Sequence, residues 1–426
     1  RPKDIHLENL ERRTRSPAWR MATSEAGGER PWEYRGAWAL APMVRINTLP
    51  FRLLCAEHGA DLLYSEELVD KSVAACRRSV SARGEAEYRH ADGKLIFSTV
   101  PHERVAFQLG TASGPDALAA ANVVVDDVCA VDVNMGCPVR FSTQGGMGSS
   151  LLTQPERVRD ILTTLVRSLG GRRAVTCKIR LLETTAATLD LTRMIASCGV
   201  DALAVHCRRV PDRPRHWAQW DALTRIRQTL PPSLPLLLNG DVFSLDDARR
   251  ALDETGADGL MLARGALWNA SLFGREEGRL ASQATLVQRY VSLAESVSNH
   301  VGNTKYVALQ MLDSHGKSAT FKALTAAKDY AALRAAAAAM EQEPLFQSPP
   351  RVPVTLEPPP DLPQLAALPA YAWRPLPPHC KAARALREAA SPATASPRPD
   401  TEAASAAEAL PAKRARIDTC VRGGDG

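Results

Sequence analysis

No apolar run in this chain approaches the roughly 18 residues that a membrane-crossing helix needs, so no membrane partner is expected. Cysteine lacks a framework. There are nine, an odd number, without paired spacing, and no signal segment with a charged start and an apolar centre opens the chain. A disulfide scaffold is thereby excluded, and free thiols in a reducing, cytoplasmic setting are the expectation. The first apolar run is not followed by the G-x-G-x-x-G turn of a dinucleotide-binding sheet, and "CAEH" (Cys55 to His58) has no second ligand pair, so no metal is expected. Charge of either sign is not in large excess: a net +6 neither demands nor forbids a polyanionic partner. Methionine is absent before Met21, and residues 1–36 are set apart as a disordered N-terminal extension, a fragment edge or a translated leader.

What is present is a series of short apolar runs, each ending in a polar residue or glycine and followed by a helical pattern. They are "AWALAPM" (37–43), "DLLYSEE" (61–67), "VAFQLG" (105–110), "AVDVNMG" (130–136), "AVTCKIR" (174–180), "ALAVHCR" (202–208), "LPLLLNG" (234–240) and "GLMLARG" (259–265). Helix signals lie between them: Thr153 as an N-cap with Pro155 in the first turn and Gly170 past the end, then Ser244 and Gly256 in the same roles. Eight near-continuous apolar strands alternating with helices predict an α/β fold, a (β/α)8 TIM barrel over residues 37–280. A doubly wound sheet is the second choice, disfavoured by the missing glycine turn. The longer gap from Leu68 to Arg104 is assigned a helix and a short hairpin around "HADGKLIFSTV". Residues 281–343 carry amphipathic helical periodicity without strand signals and read as a small all-α domain. From Pro344 to residue 426, Pro, Ala and Ser dominate, which predicts a disordered tail.

In a barrel, chemistry collects at the C-terminal ends of the strands. "NGD" (Asn239, Gly240, Asp241) and "ARG" (Ala263, Arg264, Gly265) end the seventh and eighth strands, where barrels often hold phosphate; alone, each is a glycine turn. Lys178 lies in an apolar strand, where an unpaired ammonium is costly, so it faces a ligand, such as a reduced flavin with negative charge near N1 and O2, or forms an internal salt bridge. His206 ends the sixth strand and is singled out only by that position. Gln108 offers a donor and an acceptor, as an imide edge requires, and Glu66 and Glu67 accept from an imide N–H or serve structure. Cys137 lies one residue beyond the fourth strand, on a loop with Asn134, between Gly136 and Pro138. A thiol with a pKa near about 8.5 is mostly protonated at neutral pH, so it reads as an acid rather than a nucleophile, or else as a structural cysteine.

"LAPMV", "VNMGCP", "CKIR", "HCR", "NGD" and "ARG", in this order, resemble the tRNA-dihydrouridine synthases over about residues 39–340. "APMVRINTLPFRLL", "YSEEL", "STQGGMG" and "NTKY" with "QML" resemble the eukaryotic branch that modifies the position-20 uridine of the D-loop. The resemblance implies an FMN barrel reduced by NADPH, with hydride delivered to C6 of uracil in tRNA while Cys137 protonates C5. By motif, Pro42, Met43, Val44, Gln108, Lys178, His206, Asn239, Gly240, Asp241, Ala263 and Arg264 would hold FMN, with Glu67, Asn134 and Arg180 at the substrate. The base would be flipped out of the tRNA fold. The chain departs from the family at Val139 and Gln144, where relatives often have lysine, and at Cys207, where H-G-R has a glycine and a larger side chain would crowd the phosphate region. A double-stranded-RNA-binding module is not legible after the helical domain, so tRNA contact would rest on barrel and helices. "PAKRAR" (Pro411 to Arg416) is a nuclear import patch or solvated tail. Two rival readings remain at this point: an FMN barrel acting on a small molecule, and a catalytically weakened RNA-binding homologue. Nothing names a protein partner.

Overall fold

The computed structural model describes residues 33–312, 318–350 and 356. Its strands are β1 (Trp38–Leu40), β2 (Leu62–Tyr64), β3 (Leu68–Val69), β4 (Arg77–Val80), β5 (Ala86–Arg89), β6 (Leu95–Thr99), β7 (Val105–Gly110), β8 (Ala130–Met135), β9 (Ala174–Leu181), β10 (Ala202–Arg209), β11 (Leu236–Asn239) and β12 (Gly259–Leu262). β1, β2 and β7 to β12 pair in parallel, each with the next, and β12 returns to β1, so the ring closes as an eight-stranded barrel. Helices 114–124, 155–169, 185–197, 220–229 and 245–255 cover its outside.

Alternation along each strand divides the apolar residues into two sets. Val131, Val133, Val175, Ile179, Leu203 and Val205 face outward and join the main core against the helices. Ala39, Tyr64, Ala106, Ala130, Ala174, Ala202, Leu237 and Met261 form a second cluster, lining the lumen with mostly small side chains. Ser244 caps the helix 245–255 through the Asp247 amide, and Gly256 closes it in the left-handed region at φ 65°. The helix 155–169 instead follows a 3-10 turn, 148–153. Its N-cap is Gln154, not the expected Thr153, and no side chain caps it.

The gap before β7 is richer than a helix and a hairpin. A short helix, 70–74, is followed by an antiparallel sheet of β4, β5 and β6. β4 is exposed along its whole length, so no alternation announces it. The buried pair Arg52 Nε–Glu103 Oε1, at 2.6 Å, and the Arg52 Nη2–Ser98 O bond, also 2.6 Å, tie the helix 49–57 to this region.

Helices 283–296, 301–311, 319–326 and 330–339 follow the barrel. Tyr290 packs its ring edge-on against Phe51, with centroids 6.2 Å apart, and Arg289 Nε donates to Glu57 at 2.7 Å. The loop after β1 reaches the helix 301–311: Asn303 Nδ2 donates to Arg45 O at 2.7 Å, and the Arg45 guanidinium lies 3.9 Å from the centre of the Tyr306 ring. Packed residues reach into both the expected N-terminal extension and the expected tail. Tyr34 is buried and the Gly36 amide donates to Asp258 O, while Phe346 is buried and Ser348 O accepts from the Gln283 amide. Residues 1–32, 351–355 and 357–426, Pro411 to Arg416 among them, lie outside the described residues.

Candidate active site

Strand parity decides which polar side chains meet. On β7 to β10, Gln108, Asp132, Asn134, Thr176, Lys178, Arg180, His206 and Arg208 alternate with the outward-facing core residues and so face the lumen or mouth. Asn134 pairs in register with Lys178 and His206 with Asn239, so residues far apart in sequence become neighbours toward the C-terminal end.

The Cys137 loop is held from below and above. Asn134 Oδ1 accepts from the Gly136 and Cys137 amides, at 2.8 and 3.1 Å, so that oxygen is used by the loop itself. Arg180 Nε donates to Gly136 O at 2.8 Å, placing this guanidinium under the same loop. The glycine-rich segment folds back over it: the Ser149 amide donates to Cys137 O at 2.9 Å. Gly148 permits this approach, because at φ 58° a Cβ would stand 2.4 Å from Ser142 Oγ and 2.6 Å from Cys137 O. Beside the thiol lies Glu67, whose Oε1 accepts from Ser142 Oγ at 2.8 Å, with Cys137 and Asn134 next to its carboxylate. Gly110 leaves space for it, since a Cβ there would meet Glu67 Oε1 at 2.8 Å. Burial, then the negative charge of Glu67, push the Cys137 thiol up to about 11. It is therefore a protonated acid at neutral pH.

Cations gather beside this loop, on β9, β10 and after β12. Lys178 is buried and forms no hydrogen bond or ion pair among the described residues. Burial, then the charge of Arg180, lower its ammonium to about 8. Burial first, with Arg180, Lys178, Arg208 and Arg264 around it, holds His206 well below the usual histidine range, hence neutral. Arg208 Nη1 lies 3.2 Å from His206 Nε2; the guanidinium can only donate, so Nε2 accepts and Nδ1 carries the hydrogen. Asp241, at φ 57°, accepts from Arg208, from Arg264 Nη2 at 3.2 Å, and from the Ala218 amide. It fixes the two guanidiniums rather than presenting a carboxylate to a ligand. Asn239 Nδ2 donates to Met261 O at 2.7 Å. Gly240, at φ 126°, keeps the backbone free where a Cβ would meet Ala218 Cβ at 2.8 Å, and Gly265 passes so near the loop after β11 that a Cβ would meet Val242 O at 2.2 Å. Arg264 follows Ala263 and lies over the Phe243 ring, 5.0 Å from its centre.

Pro42 and Met43 follow β1, where Met43 O closes a turn by accepting from the Ile46 and Asn47 amides; Val44 is 42% exposed. Cys207 requires a correction. It faces outward, buried in the helix-side core with Sγ 3.7 Å from Val205 O, so it crowds no phosphate. Three contributors are absent from the motif reading. Asp132, Thr176 and Ser142 are buried polar residues of the same constellation. Asp132 had a signal, an acid inside the apolar run "AVDVNMG"; Ser142 had none.

The model of the dihydrouridine synthase family matches residues 39–344, from the first barrel strand through the helices. This chain belongs to the dihydrouridine synthase family. The resemblance read from the strand-end motifs therefore holds. Among dihydrouridine synthases, the chain is 37% identical over 313 residues to the tRNA-dihydrouridine(20) synthase [NAD(P)+] of Schizosaccharomyces pombe, spanning 71% of this chain and 65% of that protein. The enzyme of the same designation from Saccharomyces cerevisiae is 33% identical over 310 residues, 68% of this chain and 80% of its own length. The tRNA-dihydrouridine(20a/20b) synthase [NAD(P)+]-like protein of Mus musculus is 34% identical over 242 residues, 56% of this chain and 69% of its own.

Proposed function

We propose that this protein is a tRNA-dihydrouridine(20) synthase, an FMN-dependent oxidoreductase driven by NADPH that saturates the C5–C6 bond of a D-loop uridine in tRNA. The observation that carries this reading is a protonated thiol on the loop after β8, beside a buried Lys178 on the adjacent β9 that forms no hydrogen bond or ion pair among the described residues.

The donor set fits a flavin. Lys178 and Arg264 supply cations for an anionic ring edge and a phosphate, Gln108 supplies an acceptor for an imide N–H, and Gly240 supplies an unobstructed backbone. Pro42 and Met43 would contribute backbone groups, and Asn239, His206 and Ala263 the wall on the side of β10 to β12. When bound, FMN reduced by NADPH supplies the hydride for C6. Cys137 gives its proton to C5, and Asn134 and Arg180 keep its loop in place while it does so. Neutral His206 adds no charge of its own beside the cations. The helical segment 281–343 is read as the tRNA-facing unit, supported by its bonds to the loop after β1 at the mouth. A cytoplasmic location accords with this substrate.

Cys137→Ala is expected to retain bound flavin and NADPH oxidation while dihydrouridine in tRNA, measured by mass spectrometry, disappears; full product yield would reject the acid role. Lys178→Ala is expected to weaken flavin binding or slow its reduction, read by flavin fluorescence and stopped-flow absorbance; unchanged behaviour would count against its anion-stabilising role. Mass spectrometry of tRNA from cells lacking the protein tests the whole reading, which expects one missing dihydrouridine.

A further inference from the structure

Asp132 plays no part in the proton transfer, yet it is fully buried in the lumen wall, two residues before Asn134 on β8. Both its oxygens are taken: Oδ2 accepts from Gln108 Nε2 at 2.8 Å on β7, and Oδ1 accepts from Thr176 Oγ1 at 2.7 Å on β9. Three neighbouring strands thus meet at one carboxylate. A carboxylate accepts and cannot donate, whereas a carboxamide end can face either way with nearly the same shape. Beside Asp132, Gln108 must turn its NH2 group to the carboxylate. Its backbone is also held, since the Gln108 amide donates to Ser65 Oγ at 2.9 Å. Oε1 is left on the other side of the carboxamide, without a partner among the described residues.

We propose that Asp132 is a positioning residue which fixes the Gln108 carboxamide with its oxygen toward the lumen, so that the site selects a ligand edge carrying an N–H. An asparagine at 132 would fill the same volume and still accept from Thr176. It would also bring its own NH2, which pairs with the Gln108 oxygen and turns the NH2 of Gln108 to the ligand. The negative charge therefore excludes the reversed arrangement, which shape alone does not. For the flavin of the proposed function, the selected edge is the ring imide, and the inference rests on that reading.

The test uses the full chain freed of flavin, with FMN and N3-methyl-FMN as probes and fluorescence quenching as the readout. Asp132→Asn is expected to weaken FMN about tenfold, the worth of one hydrogen bond, and to bring the preference for FMN over its N3-methyl form close to unity. In a Gln108→Ala background the same substitution is expected to change FMN affinity less than twofold, because Asp132 acts through Gln108. Additive losses, or an unchanged preference beside a lowered melting temperature, would assign Asp132 to stability alone and overturn the proposal. Should Asp132→Asn not fold, the side-chain NH2 of Gln108 in the unmutated protein, assigned by its loss in Gln108→Ala, serves instead. Slow hydrogen exchange of that group with and without FMN supports the fixed orientation, and an NH2 that shifts on FMN binding refutes it. Failure of the unmutated protein to bind FMN at all would remove the flavin reading itself, and the inference with it.

Discussion

Cys137 owes its protonated state first to burial and then to the charge of Glu67, so the pH dependence of the proposed proton transfer belongs to the pair. Removing the charge lowers the thiol pKa, since an adjacent anion disfavours the thiolate. Glu67→Gln is therefore expected to move the alkaline limb of single-turnover dihydrouridine formation to lower pH while flavin content stays the same. An unmoved limb would detach Glu67 from the thiol. Such single residues were legible when a motif carried them, as with Cys137, Lys178 and Arg264, and less so when their role depended on a neighbour. Asp132 acquires a role only once β7, β8 and β9 are known to be adjacent. Cys207 was misjudged although its parity was readable: with His206 directed inward, the next residue on the strand had to face the helices.

The elements were mostly legible because parallel barrel strands are buried on both faces and appear as unbroken apolar runs. β7 matches its expected span, whereas β1 is confined to Trp38–Leu40 because the chain turns after Ala41. The sheet of β4 to β6 was read only in part, since β4 is held by backbone pairing and by Arg78 on Asp127 rather than by an apolar face. The segment from Pro138 to Gly148 folds back over the Cys137 loop. Gly148→Ala puts a Cβ into Ser142 and Cys137 and forces a left-handed backbone on alanine. Chemical denaturation is expected to show a loss of about 1–3 kcal/mol, together with a large loss of dihydrouridine yield. Full activity in that variant would mean the loop can fold another way.

The whole molecule joins a barrel to a helical unit through an apolar seam and a polar one. Tyr290 is fully buried against Phe51, and Arg289 reaches Glu57 beside it. Tyr290→Ala removes the ring at that joint and is expected to cost about 3–5 kcal/mol in urea unfolding, with barrel and helices still melting together if the joint is obligate. Two separate transitions would show that the units fold independently. Phe346, one aromatic residue in a proline-rich stretch, is buried in the main core, and Ser348 O accepts from the Gln283 amide, contacts that composition does not announce.

The contact between Gly265 and the Val242 carbonyl carries a consequence for descent. Every codon change that gives Gly265 a side chain collides with a main-chain oxygen, which cannot rotate away as a side chain could. The stretch around Arg264 can therefore diverge between lineages only if the loop after β11 shifts in the same step, and the two should be inherited as one block.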